Sequence, residues 1–144
     1  MRVMPSHESF PDGSPPRLLL CDDSPIERLA LAHYLRSQGY KVDEAGDGNA
    51  ALFFLKNRPV DLLLLDLQMP DIDGFEVLNY VSEHRRALPV ILLSGMPPDE
   101  IQDKINSLRE RSLPPLMIKP LDPEQVIEMV EMQLAGELPT EEPH

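Results

Sequence analysis

A chain of 144 residues has room for one domain with a real core, since a chain of this size hides roughly 70% of its unfolded surface. Apolar residues make up 42% and charged residues 26%, a globular balance, while 25 acidic against 13 basic residues give a net charge of −12 that disfavours direct nucleic-acid binding. One cysteine excludes an intramolecular disulfide, no apolar run approaches the length of a membrane span, and residues 1–16 carry no apolar stretch of a secretory signal, so a small cytoplasmic domain with no membrane contact is expected.

In chain order, residues 1–16 hold Pro5, Pro11, Pro15 and Pro16 beside Ser6, Ser9, Gly13 and Ser14. Too few apolar groups lie there to offset the entropy of ordering, and the segment reads as a tail. Leu18-Leu19-Leu20-Cys21 follows as a continuous apolar run, the pattern of a strand buried on both faces. Ser24-Pro25-Ile26-Glu27 then supplies an N-cap, a proline at the first helical position and a capping-box glutamate. Ile26, Leu29, Ala30 and Tyr34 recur at helical spacing, and Gly39 ends that helix. Residues 40–45 form a weaker strand candidate, after which Gly46-Asp47-Gly48 makes a turn into a second helix.

Leu62-Leu63-Leu64-Leu65 is the third strand, and Asp73-Gly74-Phe75-Glu76 repeats the helix-starting device. Val90-Ile91-Leu92-Leu93 is the fourth strand. Pro97-Pro98 and Pro114-Pro115 bracket a segment in which Ile101, Ile105 and Leu108 keep helical spacing, so a helix with unusual ends is expected over residues 99–111. Leu116-Met117-Ile118 is another weak strand candidate, and Asp122-Pro123-Glu124-Gln125 starts a last helix. Residues 135–144, with Gly136, Pro139, Pro143 and three glutamates, read as an acidic tail. The folded unit is therefore expected to span residues 17–134.

Strand and helix alternate five times. Such alternation means parallel strands joined by right-handed crossovers, a doubly wound α/β sheet of five strands with five helices on its two faces. Ligands of such sheets sit outside the carboxyl ends of the strands, where the strand order switches.

The residues at those ends form a pattern. Asp22 and Asp23 follow the first strand, Asp66 ends the third, Ser94 the fourth and Lys119 the fifth, with Pro120 next. Two unit negative charges 4 Å apart repel by about 4 kcal/mol at an effective dielectric near 20, so three carboxylates on one rim call for cationic company. Lys119 neutralises one. A hard divalent cation suits the others, and Mg²⁺ is the natural candidate because it keeps several waters and needs only one or two carboxylates plus a phosphate oxygen. A carboxylate beside such a cation can attack phosphorus to give an acyl phosphate, with metal and lysine stabilising the transferred group and a hydroxyl bonding its oxygens. Singly, each residue has a plainer role: Asp23 as a cap or loop residue, Asp66 as a strand terminator, Ser94 as a turn, Lys119 as surface. Together, in this order on one edge, they do not.

With these residues in view, the sequence resembles the receiver domain of bacterial two-component response regulators. The resemblance rests on Asp22-Asp23, on Asp66-Leu67-Gln68-Met69-Pro70-Asp71-Ile72-Asp73-Gly74 after the leucine run, on Leu92-Leu93-Ser94-Gly95 and on Ile118-Lys119-Pro120. It covers residues 17–134 and implies the flavodoxin-like receiver fold, in a stand-alone single-domain chain. It further implies that Asp66 accepts a phosphoryl group from a histidine kinase or phosphotransfer protein. Asp23, Asp66 and the backbone carbonyl of Gln68 would bind Mg²⁺ directly, with Asp22 acting through water. Ser94 would swing toward the phosphate, Lys119 would pair with it, and the Lys119–Pro120 bond would be cis. The chain would act as a monomer or weak dimer, passing its signal to a downstream partner protein.

Two departures stand out. The family normally carries Tyr or Phe three residues before the lysine, where Leu116 stands here. The stretch from Ser94 to Lys119 is also long and lacks the usual Gly-Ala pair, with Ser112-Leu113 in that neighbourhood. They bear on the read-out face, not on the phosphorylation chemistry.

Other features carry less. Asp71-Ile72-Asp73-Gly74 has no downstream glutamate to complete a calcium loop. His7, His33, His84 and His144 are scattered without metal-site spacing, and His33 reads as a helix-surface residue. Glu124, Glu128 and Glu131 form an acidic stripe read as a solvated face, and Cys21 reads as a buried small hydrophobe. Two alternatives remain: a receiver-fold scaffold that no longer switches, motivated by Leu116, and an aspartate-nucleophile phosphatase of the haloacid dehalogenase type. The latter needs a second acid two residues after the nucleophile, where this chain has Gln68. A receiver would take up one phosphoryl group and lose it slowly, without acting as a turnover enzyme.

Overall fold

Nine strands and helices follow one another along the parts of the chain that the computed structural model describes, residues 13–69, 74–96, 99–100, 103 and 114–136. They are β1 (Arg17–Cys21), α1 (Pro25–Ser37), β2 (Lys41–Ala45), α2 (Gly48–Asn57), β3 (Leu62–Asp66), α3 (Gly74–His84), β4 (Val90–Ser94), β5 (Leu116–Ile118) and α4 (Pro123–Leu134). Of the helix expected over residues 99–111 only Asp99, Glu100 and Asp103 are described, all three helical; the rest of it, most of both tails and the Pro70–Asp73 part of the motif lie outside the described residues.

The strands form one parallel sheet in the order β2-β1-β3-β4-β5. β1 is flanked by β2 and β3, so the chain runs outward once and then returns past β1. That reversal is the switch point of a doubly wound sheet, between β1 and β3.

Each face of the sheet closes its own core, which explains the unbroken leucine runs. Leu19, Cys21, Leu63, Leu65 and Leu92 pack with Ala51 and Leu55 of α2 and Val77 and Val81 of α3. Leu18, Leu20, Leu62, Leu64, Ile91 and Leu93 point the other way, to Leu31, Ala32 and Leu35 of α1 and Val126, Ile127 and Val130 of α4. Alternate residues serve alternate faces, and because helices cover both, neither set is polar.

The helix starts follow local chemistry. Asp47 and Asp122 cap α2 and α4 by accepting the Ala50 and Glu124 N–H groups at 2.8 and 3.0 Å. Ser24 caps α1, its Oγ accepting the Glu27 N–H at 3.4 Å. The capping box expected there is only half made, because the Ser24 N–H donates instead to Asp22 Oδ1 at 3.0 Å. Asp22 binds the cap tightly to the end of β1 and releases the Glu27 side chain from helix-end duty. α1 closes before Gly39, which takes φ +99°, a left-handed conformation that favours glycine.

Candidate functional site

The switch point brings Asp22 after β1 alongside Asp66 at the end of β3. Both are 1% exposed, and Asp23, one residue on, is exposed. One carboxylate oxygen from each of the three lies within 4.8 Å of the others. Lys119 enters from β5, two strands away from β3, a span of about 10 Å that only a long side chain covers. Its Nζ lies 2.8 Å from Asp66 Oδ2 and 3.3 Å from both Asp22 oxygens. The Lys119–Pro120 bond is cis.

Each side chain is held from behind. Asp66 Oδ1 accepts the Gln68 N–H at 2.8 Å. The Asp22 carbonyl accepts from Arg28 Nη1 at 2.8 Å, while Arg28 Nε pairs with Glu44 Oε1 at 3.2 Å and Arg36 Nη1 with Glu44 Oε2 at 3.1 Å. This chain of charges anchors the acidic loop to β2. Ser94 is fully buried; its carbonyl accepts the Lys119 N–H at 2.9 Å and its Oγ accepts the Met96 N–H at 2.8 Å. Gln68 Oε1 accepts the Gly95 N–H at 3.0 Å, tying the loop after β3 to the loop after β4. At Gly74 a Cβ would stand 2.5 Å from the Asp66 carbonyl oxygen and 2.6 Å from Leu67 Cα, so α3 starts against the backbone of Asp66 only because residue 74 has no side chain.

The electrostatics follow from burial and company. Loss of water raises the Asp66 carboxyl above its ordinary value, and the hydrogen bonds from Lys119 and Gln68 oppose that rise without cancelling it. Burial pulls the Lys119 ammonium down, but Asp66 and Asp22 outweigh it and hold the group above the usual lysine range. Burial pushes the Cys21 thiol up, with Asp66 and Asp22 adding to the effect, so it stays protonated as a core residue. Asp22 and Asp66 pair with the Lys119 ammonium, and Asp23 adds a third carboxylate to their cluster. Three hard oxygen donors with surplus negative charge are the set that a small divalent cation takes.

Every residue singled out at the strand ends is thus on this rim. Asp22, Asp23, Asp66 and Lys119 come together, Ser94 lines the end of β4, and the Gln68 N–H is bonded to Asp66. Leu116 is half-buried against the α2–α3 side of the core. Sequence reasoning missed Glu27, whose Oε1 lies 3.2 Å from Lys119 Nζ, because the capping motif accounted for it. It also missed the Gln68 side chain and the Arg28–Glu44 support, for which the sequence holds no local signal.

A family model described as the response regulator receiver domain matches residues 18–131. The chain belongs to that family. Receivers of this kind interact with histidine kinases or phosphotransfer proteins. Among relatives, this chain is 31% identical over 117 residues to the two-component response regulator ORR11 of rice, covering 79% of this chain and 78% of that protein. It is 33% identical over 97 residues to the probable transcriptional regulatory protein TcrX of Mycobacterium tuberculosis, covering 67% of this chain but only 41% of TcrX. The response regulator TrrA of Thermotoga maritima, solved in complex with Mg²⁺-BeF, superposes with a TM-score of 0.71 at 27% identity over 82% of this receiver and 98% of TrrA. No helix among the receiver's described residues is long and apolar enough to cross a membrane.

Proposed function

We propose that the chain is the phosphoacceptor module of a two-component phosphorelay, residues 17–134 forming the receiver and Asp66 taking the phosphoryl group. The observation that carries this reading is the Lys119 ammonium 2.8 Å from a buried Asp66 whose neighbours, Asp22 and Asp23, bring two more carboxylates within 4.8 Å. An Asp66 oxygen attacks the phosphorus of a phosphohistidine on the donor. The P–O bond forms as the P–N bond breaks, its electron pair stays with the imidazole, and the ring leaves neutral after taking a proton from solvent. Lys119 then pairs with a phosphoryl oxygen. The Ser94 hydroxyl, accepting from Met96 in this structure, has its own proton to donate to another.

The donor set fits Mg²⁺. Asp23, Asp66 and the Gln68 carbonyl would hold it directly and Asp22 through water. When bound, the ion supplies positive charge to the transferred group and relieves the repulsion among the three carboxylates. Phosphorylation then shifts the domain between two conformations, and a downstream protein reads the shifted population. Leu116 supports a second reading, a receiver that docks constitutively, because no aromatic ring stands there to move inward.

The test is intact mass after incubation with acetyl phosphate. We expect gain of one phosphoryl group with Mg²⁺, little without it and none in Asp66→Asn. No gain in folded wild-type protein overturns the reading in favour of the constitutive scaffold, and continuous release of inorganic phosphate favours a phosphatase.

A further inference from the structure

Lys119 has three N–H donors, and in this structure protein carboxylates take all of them. Asp66 Oδ2 lies at 2.8 Å, the Asp22 oxygens at 3.3 Å and Glu27 Oε1 at 3.2 Å. A phosphoryl oxygen that is to pair with Lys119 must displace one of these. Asp22 and Asp66 are 1% exposed, so releasing either strands a buried charge. The Glu27 side chain is 60% exposed and returns to water at little cost. Glu27 therefore occupies the place on the ammonium that the incoming group needs.

Its presence there is not explained by the helix. Glu27 is the third residue of α1, where a capping-box glutamate reaches back to the N–H of the cap residue. Here Asp22 Oδ1 has taken the Ser24 N–H, and the Glu27 carboxylate turns to Lys119 instead.

We propose that Glu27 is a positioning residue that holds Lys119 away from small anionic phosphodonors, so that Asp66 is phosphorylated more slowly by them than its own chemistry allows. The proposal rests on Asp66 being the phosphoacceptor. Glu27 touches neither the acceptor nor the donor in this scheme and acts through the lysine and through the negative charge it adds beside it.

The experiment compares wild type with Glu27→Gln, which keeps the side chain's size and removes its charge. With acetyl phosphate and Mg²⁺ at low ionic strength, the variant should be phosphorylated about two- to fivefold faster, the range of a partly exposed ion pair. The gain should vanish near 1 M salt, where the Debye length falls to about 3 Å. In divalent-free buffer the Lys119 side-chain NMR resonances should differ between the two proteins. Equal rates at low salt, a gain that persists at high salt, or unchanged Lys119 resonances each overturn the proposal. The NMR arm needs no phosphorylation, so a wild type that takes no phosphoryl group sinks the function while the Lys119–Glu27 contact is still decided separately.

Discussion

β3 and β5 each deliver one charged group to the same rim, yet they are built differently. β3 lies between β1 and β4, and all five of its residues, Asp66 included, are buried. β5 has three residues, pairs with β4 at the margin of the sheet, and leaves Leu116 and Met117 half-buried and Ile118 44% exposed. The carboxylate thus ends a fully buried interior strand, while its lysine partner follows a short, half-exposed marginal one. On the proposed function, the group that receives the phosphoryl and the group that exchanges partners have different foundations.

That contrast breaks most visibly in stability. Leu64→Ala in β3 should cost about 3 kcal/mol by denaturant unfolding, since a fully buried leucine leaves a cavity that both core faces resist closing, whereas Met117→Ala in β5 should cost about 1 kcal/mol. Comparable losses would show that β5 is as firmly seated as the centre. Next in size is Lys119→Met. It leaves Asp22 and Asp66 buried without their counter-charge and should lower stability at neutral pH by about 2 kcal/mol, with much of the loss recovered on adding a divalent cation or on acidification. A loss of the same size at every pH would mean that packing of the lysine stem, not charge, holds the rim.

The smallest effect has the opposite sign. A carboxyl raised above its unfolded value of 3.8 stabilises the fold fully only below that value and withdraws the contribution as pH rises through its folded value. Asp66→Asn removes this penalty. In divalent-free buffer at neutral pH it should raise the melting temperature by a few degrees, and the advantage should disappear below pH 3.8. A variant that melts earlier than wild type at neutral pH would show that the Lys119 pairing outweighs the cost of burying Asp66.

The sheet and most of the site were legible in the sequence because each rests on a short-range signal. Continuous apolar runs at Leu18–Cys21 and Leu62–Leu65 marked strands covered on both sides, and the strand-end carboxylates followed from where those runs stopped. Ser24 and Asp122 marked helix starts for the same reason, a cap being a contact between residues two or three apart. What escaped depends on distance along the chain. Glu27 meets Lys119 from another element altogether, and the local motif pointed its carboxylate at Ser24. Gln68 reaches Gly95 across 27 residues, and Arg28 reaches Glu44 across 16, pairings that only strand order and loop path decide. Gly74 looked like part of a helix start; its need to be glycine comes from the backbone of Asp66 behind it.

The sheet's margins have a further consequence, for the company the chain keeps at high concentration. An open parallel sheet ends in two rows of unpaired backbone groups, each a template on which another molecule's strand can grow. At β2 that template is dressed with Lys41, Asp43 and Glu44, the two acids tied by ion pairs to Arg17, Arg28 and Arg36. At β5 it is simply short, three residues against five in every other strand. One margin is guarded by charged side chains and the other by brevity, two devices that discourage edge-to-edge pairing between copies of a chain whose interior is largely leucine.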